Sequence, residues 1–219
     1  MPDSGFGVII LAAGYSSRMG FFKPVLKLNG ITLTQRLIQL YLNSGIDVYL
    51  VTGWQRSVLM ESVSDLKVNI VDNPDFAEGM FSSVKCGLRA AIKANYRAIF
   101  VQPVDIPLVR TATLKSLCGA AERTDCAVLY PCYHSRRGHP AVVFAGLIPF
   151  ILDWQGEGGL KACLANRDSL AQNIEVEDSN ILFDVDTPGD LPELAERYRQ
   201  LILTDDLQTE IRHRPAEAL

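Results

Sequence analysis

The sequence predicts an α/β fold, three layers α/β/α around one mainly parallel, Rossmann-like sheet. Strand-like apolar runs alternate with stretches of helical periodicity along the chain, the pattern of βα units and parallel pairing. The first such run, Val8 to Leu11, ends in a glycine-punctuated turn. A chain of 219 residues with 48% hydrophobic and 21% charged content suffices for one sizeable core, whereas two full domains would be cramped. Residues 1–203 are therefore expected to form one domain.

The elements follow in order. Thr32-Leu33-Thr34-Gln35 is a capping box, and Leu33, Leu37, Leu40 and Tyr41 then recur at helical spacing until Gly45 supplies a C-cap, which predicts a helix from Leu33 to Asn43. Val48 to Thr52 reads as the second strand, Gln55 to Val63 as a helix and Val68 to Val71 as the third strand. Ser82 or Ser83 caps a helix carrying Val84, Leu88, Ala91 and Ile92 on one face, and Ala98 to Val101 follows as a central strand. Thr111 caps a helix through about Arg123. Ala127 to Tyr130 and Ala141 to Phe144 read as strands around a polar excursion, with another helix near Gly159 to Asn166. A last strand, Ile181 to Val185, reaches Thr187-Pro188-Gly189-Asp190, where Thr187 is the N-cap of a helix to about Leu203. Residues 204–219 are polar and aperiodic and read as a frayed or disordered tail.

Composition excludes some functions. A net charge of −4, with no basic run longer than Arg136-Arg137, argues against a general nucleic-acid surface. Five cysteines without a C-x-x-C pair suit a reducing compartment better than a disulfide framework. Met1 to Ser4 lack a basic n-region, and the apolar run that follows is too short for a signal peptide or a membrane span, so a cytoplasmic protein with no membrane partner is expected.

The chemistry concentrates in Leu11-Ala12-Ala13-Gly14-Tyr15-Ser16-Ser17-Arg18-Met19-Gly20-Phe21-Phe22-Lys23-Pro24. Gly14 and Gly20 permit φ > 0 or a close backbone approach, Ser16 and Ser17 add hydroxyls, and Arg18 and Lys23 add two cations, the parts of a triphosphate cradle. The dinucleotide fingerprint and the Walker loop both fail here, because Phe21 and Phe22 separate Gly20 from Lys23. The stretch instead resembles the L-A-[AG]-G-x-S-x-R-M-G-x-x-K signature of the MobA-like nucleotidyltransferases of molybdenum-cofactor biosynthesis. Ala13 stands where the guanylyltransferase branch usually has a second glycine, so the resemblance leans to the cytidylyltransferase branch.

Asp105, in Gln102-Pro103-Val104-Asp105-Ile106-Pro107, lies just past the carboxyl end of a predicted strand, where ligands of open α/β sheets collect. A carboxylate there suits Mg²⁺, which takes one or two carboxylates plus phosphate oxygens, although a turn aspartate between prolines also serves as an Asx-turn former. Asp184 and Asp186 lie two apart, so on a strand they point the same way and can share a cation. Asp190 reads more simply as a first-turn helix acid. The resemblance implies Mg²⁺ on Asp105 and Asp184, through the family's P-x-D-x-P and D-[IV]-D-T-P-x-D elements. It also likens Asn73 to Ser83 to the N-P-x-[WF]-A-E-G-M-x-S-S loop, which implies roles for Asn73, Gly79, Ser82 and Ser83 at the base and ribose, beside Leu11, Ala12, Ala13, Gly14 and Pro103. Gly138-His139-Pro140 resembles an R-G-H-P turn that meets the second substrate, with Asp186 a further acceptor-side residue. His139 reads equally well as a turn histidine. Gly156 to Lys161 matches G-D-x-G-[AL]-[RK] loosely, with Glu157 in place of the aspartate.

Cys132, His134 and His139 lack a fourth partner at zinc spacing, and Cys86, Cys118, Cys126 and Cys163 sit in apolar contexts as core filler. Trp54 and Trp154 fall near strand ends, where packing is the default and lining a cleft the alternative. Together the elements predict nucleotidyl transfer: Arg18 and the loop on the β- and γ-phosphates, Mg²⁺ on the carboxylates, Lys23 on the α-phosphoryl group, and attack by an acceptor phosphate with loss of pyrophosphate. By resemblance the donor is CTP and the acceptor molybdopterin, with a molybdoenzyme or its chaperone as a protein partner. Two alternatives stand beside this reading, a sugar-phosphate or other phosphorylated acceptor and a non-catalytic nucleotide-binding chaperone.

Overall fold

A computed structural model of the chain describes residues 5–212, with residues 205–212 described by backbone alone. The leader reading at Met1 to Ser4 and the tail from residue 213 onward lie outside the described residues. The elements are β1 (Phe6–Leu11), β2 (Lys27–Leu28), β3 (Ile31–Thr32), α1 (Leu33–Asn43), β4 (Asp47–Thr52), α2 (Arg56–Ser62), β5 (Asn69–Asp72), α3 (Met80–Ala91), β6 (Ala98–Pro103), α4 (Thr111–Ala121), β7 (Val128–Tyr133), β8 (Arg136–Arg137), β9 (Ala141–Phe144), α5 (Ile148–Asp153), α6 (Gly159–Ala165), β10 (Ala171–Glu175) and α7 (Leu191–Arg212). The main sheet has the order β10-β7-β9-β6-β1-β4-β5, with β8 paired to β7. Pairing is parallel from β6 through β1 and β4 to β5 and between β10 and β7, while β9 runs antiparallel to both β6 and β7. β2 and β3 form a separate antiparallel pair.

β1 sits at the centre, and its strand period sends alternate side chains to opposite faces. Val8 and Ile10 enter one core with Leu37 and Tyr41 of α1, Leu114 of α4 and Leu194 of α7. Ile9 and Leu11 enter the other with Val84 and Leu88 of α3, Ile148 of α5 and Cys163 of α6. Three layers result, as the alternation of elements predicts. α3 packs very close to the sheet: a Cβ on Gly87 would lie 2.9 Å from Val51 and 3.0 Å from Ile9. Among the described residues, no helix is long and apolar enough to cross a membrane.

The capping box forms as read: the Thr32 hydroxyl accepts the Gln35 N–H at 3.0 Å, and the Thr32 N–H donates to Gln35 Oε1 at 2.8 Å. Four expectations differ. Gly79 caps α3, so Ser82 and Ser83 lie inside its first turn. Arg110 holds the cap position of α4, which places Thr111 at its first helical residue. Ile181 to Val185 is no strand; Ser179–Leu182 forms a 3₁₀ turn, and irregular backbone carries the acidic segment to a backbone bond with Asp105 in the turn after β6. α7 continues to Arg212, beyond the expected end at Leu203, so the backbone stays helical across the first part of the polar tail.

Candidate active site

The loop after β1 is pinned from three sides. The Ala12 N–H donates to the Val51 carbonyl at 3.0 Å, the Trp54 N–H to the Ala13 carbonyl at 3.1 Å and the Lys23 N–H to Ser16 Oγ at 3.1 Å. Met19 and Phe22 are buried and anchor its far end in the core, while Gly20 and Phe21 between them stay exposed. Gly20 takes the left-handed conformation expected of it, with φ 77°, but Gly14 does not; Ser16, at φ 55°, makes the other left-handed step. Nothing lies within 4 Å of a Cβ built on Gly14, because that position faces open space.

Lys23 is the meeting point. Its side chain is only 10% exposed, and Nζ lies 2.9 Å from Asp186 and 3.5 Å from Asp105. Arg18, with a side chain 72% exposed, reaches the other oxygen of Asp186 at 2.9 Å. Three distant segments thus converge at one end of the sheet, and backbone contacts explain how. The Val104 N–H donates to the Leu11 carbonyl at 3.2 Å, and the Val185 N–H donates to the Asp105 carbonyl at 2.8 Å, which sews the acidic segment to the turn after β6. The turn itself is held from below by Gln102, which is fully buried. Its amide N–H groups donate to the carbonyls of Pro103 and Ile106 at 2.8 and 3.0 Å, while its oxygen accepts the Tyr41 hydroxyl at 2.9 Å. All of that side chain's strong polar capacity is spent on shaping the bend that presents Asp105. Asp190 accepts the N–H groups of Asp186 and Thr187 at 2.9 and 2.7 Å, and these bonds hold its carboxyl below the usual range.

Burial pushes the Asp105 carboxyl above its ordinary value; Lys23 opposes the shift, and Asp186 adds to it. His139 is pushed down by burial against the pull of Asp105 and a hydrogen bond with the Val101 backbone, so it stays neutral at pH 7.

A cavity of about 470 Å³ opens above this arrangement. Leu11, Ala12, Ala13, Gly14, Ser16, Ser17, Arg18, Lys23, Gly79, Ser83, Pro103, Asp105 and Asp186 all line it. Asn73 and Ser82 stand behind the wall. The buried Asn73 amide donates to Ser82 Oγ at 2.9 Å and Ser83 Oγ at 3.0 Å, which fixes the first turn of α3 against the end of β5. Asp184 is exposed and does not line this cavity, though its charge acts on both Asp105 and His139. At the mouth, the Tyr15 ring packs at a tilt against Trp54 and edge-on to Phe76, with ring centroids 5.2 and 5.3 Å apart.

A second cavity, about 870 Å³, shares Leu11, Met80 and Pro103 with the first. Gly138 and His139 line it, together with Tyr130, Arg137 and the Gly156 to Lys161 loop. Gly138 is required for a close approach, since a Cβ there would fall 2.5 Å from the Ile181 carbonyl oxygen, and the His139 N–H donates to that same carbonyl at 2.9 Å. The Arg137 guanidinium lies 4.5 Å from the Tyr130 ring centroid and is held by Asn173 at 2.8 Å and by an ion pair with Asp168. His139 Nδ1 is buried with no partner among the described residues.

Sequence reasoning missed Gln102, Tyr130 and Asp168. A glutamine ending an otherwise apolar strand was a usable signal for the first; nothing local marks the other two. Among the described residues no group of three or more His, Cys, Asp or Glu side chains is arranged to hold a metal. The donor set nevertheless fits Mg²⁺, because Asp105 and Asp186 already converge on one cation, and Mg²⁺ completes its shell with water and phosphate oxygens.

Residues 8–173 match the MobA-like NTP transferase domain. The chain is 29% identical over 199 residues to the molybdenum cofactor cytidylyltransferase of Escherichia coli K12, covering 90% of this chain and all of that one. It is 30% identical over 187 residues to the nicotine blue oxidoreductase of Paenarthrobacter nicotinovorans, covering 82% and 91% of the two chains. In fold it superposes on Rv0371c of Mycobacterium tuberculosis with a TM-score of 0.76 at 22% identity, covering 87% and 97%.

Proposed function

The chain belongs to the MobA-like NTP transferase family and is a nucleotidyltransferase, and we propose that it transfers CMP from CTP to the phosphate of a molybdopterin-type acceptor with release of pyrophosphate. The observation that supports this reading best is the convergence of Lys23, Arg18, Asp105 and Asp186 on a cavity floored by the β1 loop, with a second cavity adjoining it across Leu11 and Pro103. Two substrates fit that plan, one on each side of the shared wall. Ala13, which lines the first cavity where the guanylyltransferase branch usually has a second glycine, supports the pyrimidine over the purine.

In this reading the loop N–H groups and Arg18 hold the β- and γ-phosphates. Asp105 and Asp186 would hold Mg²⁺, in place of the pair Asp105 and Asp184 that the resemblance implies, because Asp184 is exposed and does not line the cavity. When bound, the ion supplies positive charge to the phosphate oxygens and orients the leaving pyrophosphate. Lys23 delivers its ammonium to the α-phosphoryl group as charge develops there. His139, neutral and lining the second cavity, offers the acceptor a hydrogen-bond partner that adds no charge to the site. No side chain has to act as a nucleophile, because an acceptor phosphate is already ionised and the protein's task is alignment and charge neutralisation.

The test is pyrophosphate release from CTP, GTP, ATP and UTP with Mg²⁺, in the presence and absence of molybdopterin. Release from CTP that requires molybdopterin is the expected result. Release with a sugar phosphate and none with molybdopterin would transfer the proposal to that acceptor class. The Paenarthrobacter relative's name supports a second reading, reduction of a heteroaromatic compound; consumption of a nicotinamide coenzyme with no pyrophosphate release from any nucleotide would favour it.

A further inference from the structure

We propose that Lys23 and the divalent ion compete for one place between Asp105 and Asp186, so that the ion's arrival positions the lysine on the nucleotide; the inference rests on the nucleotidyl-transfer reading above. Lys23 Nζ stands 2.9 Å from one carboxylate and 3.5 Å from the other, at the point where the two converge. A Mg²⁺ ion drawing an oxygen from each carboxylate needs that same point, at about 2 Å from each oxygen. An ammonium and a divalent cation cannot share it: they collide, and at a partly buried site their repulsion is weakly screened.

The lysine has a way out. Its backbone N–H is tied to Ser16 Oγ, and Pro24, whose carbonyl accepts the Thr34 hydroxyl at 2.8 Å, fixes the following residue. The main chain therefore holds still while the side chain swings. The direction open to it is the cavity it already lines, bounded by the loop from Leu11 to Arg18. Arg18 contributes to the same exchange. It binds the second oxygen of Asp186 from the solvent side and, being mostly exposed, moves at little cost once a phosphate offers it a better partner.

Metal and lysine are thus antagonists in the absence of nucleotide and become allies in its presence. A triphosphate accepts the displaced ammonium on its own oxygens and brings ligands for the ion, so each binding event favours the other. Asp186 is the hinge of the exchange, because Lys23 must leave one of its oxygens before that oxygen can serve the ion, while Arg18 holds the other.

The experiment is a Mn²⁺ titration followed by electron paramagnetic resonance on the full chain, without nucleotide, for the unaltered protein, Lys23→Met and Lys23→Met/Asp186→Asn. Methionine keeps the apolar stem and removes the charge. Lys23→Met is expected to bind Mn²⁺ at least tenfold more tightly than the unaltered protein, and the added Asp186→Asn change to erase the gain. Equal or weaker Mn²⁺ binding by a Lys23→Met protein with an unaltered thermal transition would overturn the proposal. Should that variant fold poorly, Lys23→Gln carries the same comparison and the same two outcomes. Because no nucleotide is present, this result is independent of the pyrophosphate assay, where failure with every nucleotide would count against the transferase reading instead.

Discussion

The first cavity takes its charged wall from short stretches that immediately follow β1 and β6, with Asp186 brought in by the backbone bond from Val185 to Asp105, and its facing wall from Phe76 to Ser83 at the start of α3. The second, nearly twice as large at about 870 against 470 Å³, is walled by side chains from β1, α3, β7, the β8–β9 turn and the loop into α6. The first carries its charge inward, on Lys23 and two carboxylates. The second is mostly apolar inside and keeps its ion pair, Arg137 with Asp168, near the surface. A polyphosphate needs fixed charge at fixed places, and a strand-end loop provides it cheaply. A larger acceptor needs area, which only several elements together enclose.

The comparison breaks most visibly at Lys23. Lys23→Ala is expected to lower kcat by about a thousandfold, the scale of losing one group that stabilises transition-state charge, while nucleotide affinity changes less than tenfold. Stopped turnover and equilibrium nucleotide binding measured on the same preparation check it. An equal loss in both would make Lys23 a ground-state phosphate grip.

Asp105 tests whether the inward charge of the first cavity is placed against stability. Its carboxyl is raised in the fold, so the folded state holds its proton more tightly than the unfolded state does. Stability from this group accordingly falls as pH rises from the ordinary carboxylate value through the raised one, and is level above that. Asp105→Asn is expected to cut turnover by on the order of a hundredfold or more, yet to leave the thermal midpoint unchanged or higher at pH 7 and to flatten its decline across that acidic window. Calorimetry at pH values through that window, beside the activity assay, decides it. A lower midpoint at pH 7 would make the aspartate a structural turn residue.

The two cavities also differ in how far they could be read from the sequence. The residues after β1 form one contiguous stretch in which most positions turn the backbone, anchor in the core or carry charge, so pattern and chemistry coincide. The helices of the first half were legible for the same reason: α1 is bounded by a capping box and a glycine, both local signals. Ile181 to Val185 misled because an apolar run reads as a strand whatever finally pairs with it; in the structure its N–H groups go to a turn and to Asp105 rather than to a neighbouring strand. The left-handed step at Ser16 was invisible, since glycine is the expected residue there and Gly14 stands only two positions away. Tyr130 and Asp168 became site residues only through tertiary packing, by way of Arg137.

Gln102 lies on the border of the two regions, beneath the turn whose Pro103 lines both cavities. Gln102→Leu leaves the buried Tyr41 hydroxyl and the Ile106 carbonyl without their Gln102 partner, and the Pro103 carbonyl with the Ile106 N–H at 3.4 Å in place of two donors. The cost is expected to be about 2–4 kcal/mol of stability, measured by urea unfolding. Tyr41→Phe added to that background should recover part of it, because it removes one of the stranded groups. A fully additive double variant would show that the two side chains are not coupled.

Arg137 supplies the smallest effect and the one most specific to the second cavity. Its guanidinium rests on Tyr130 and is steadied by Asn173 and Asp168, so it presents a flat, charged surface at the rim without lying deep inside. A planar, anionic acceptor would gain both stacking and charge from that surface, each of which contributes about 1 kcal/mol where solvent reaches. Arg137→Ala is therefore expected to raise the KM for the acceptor by about tenfold, with kcat and the KM for the nucleotide within twofold of the original. Steady-state kinetics varying each substrate in turn makes the measurement. If the nucleotide KM rises instead, the wall formed by Leu11 and Pro103 does not divide the substrates, and the two cavities act as one.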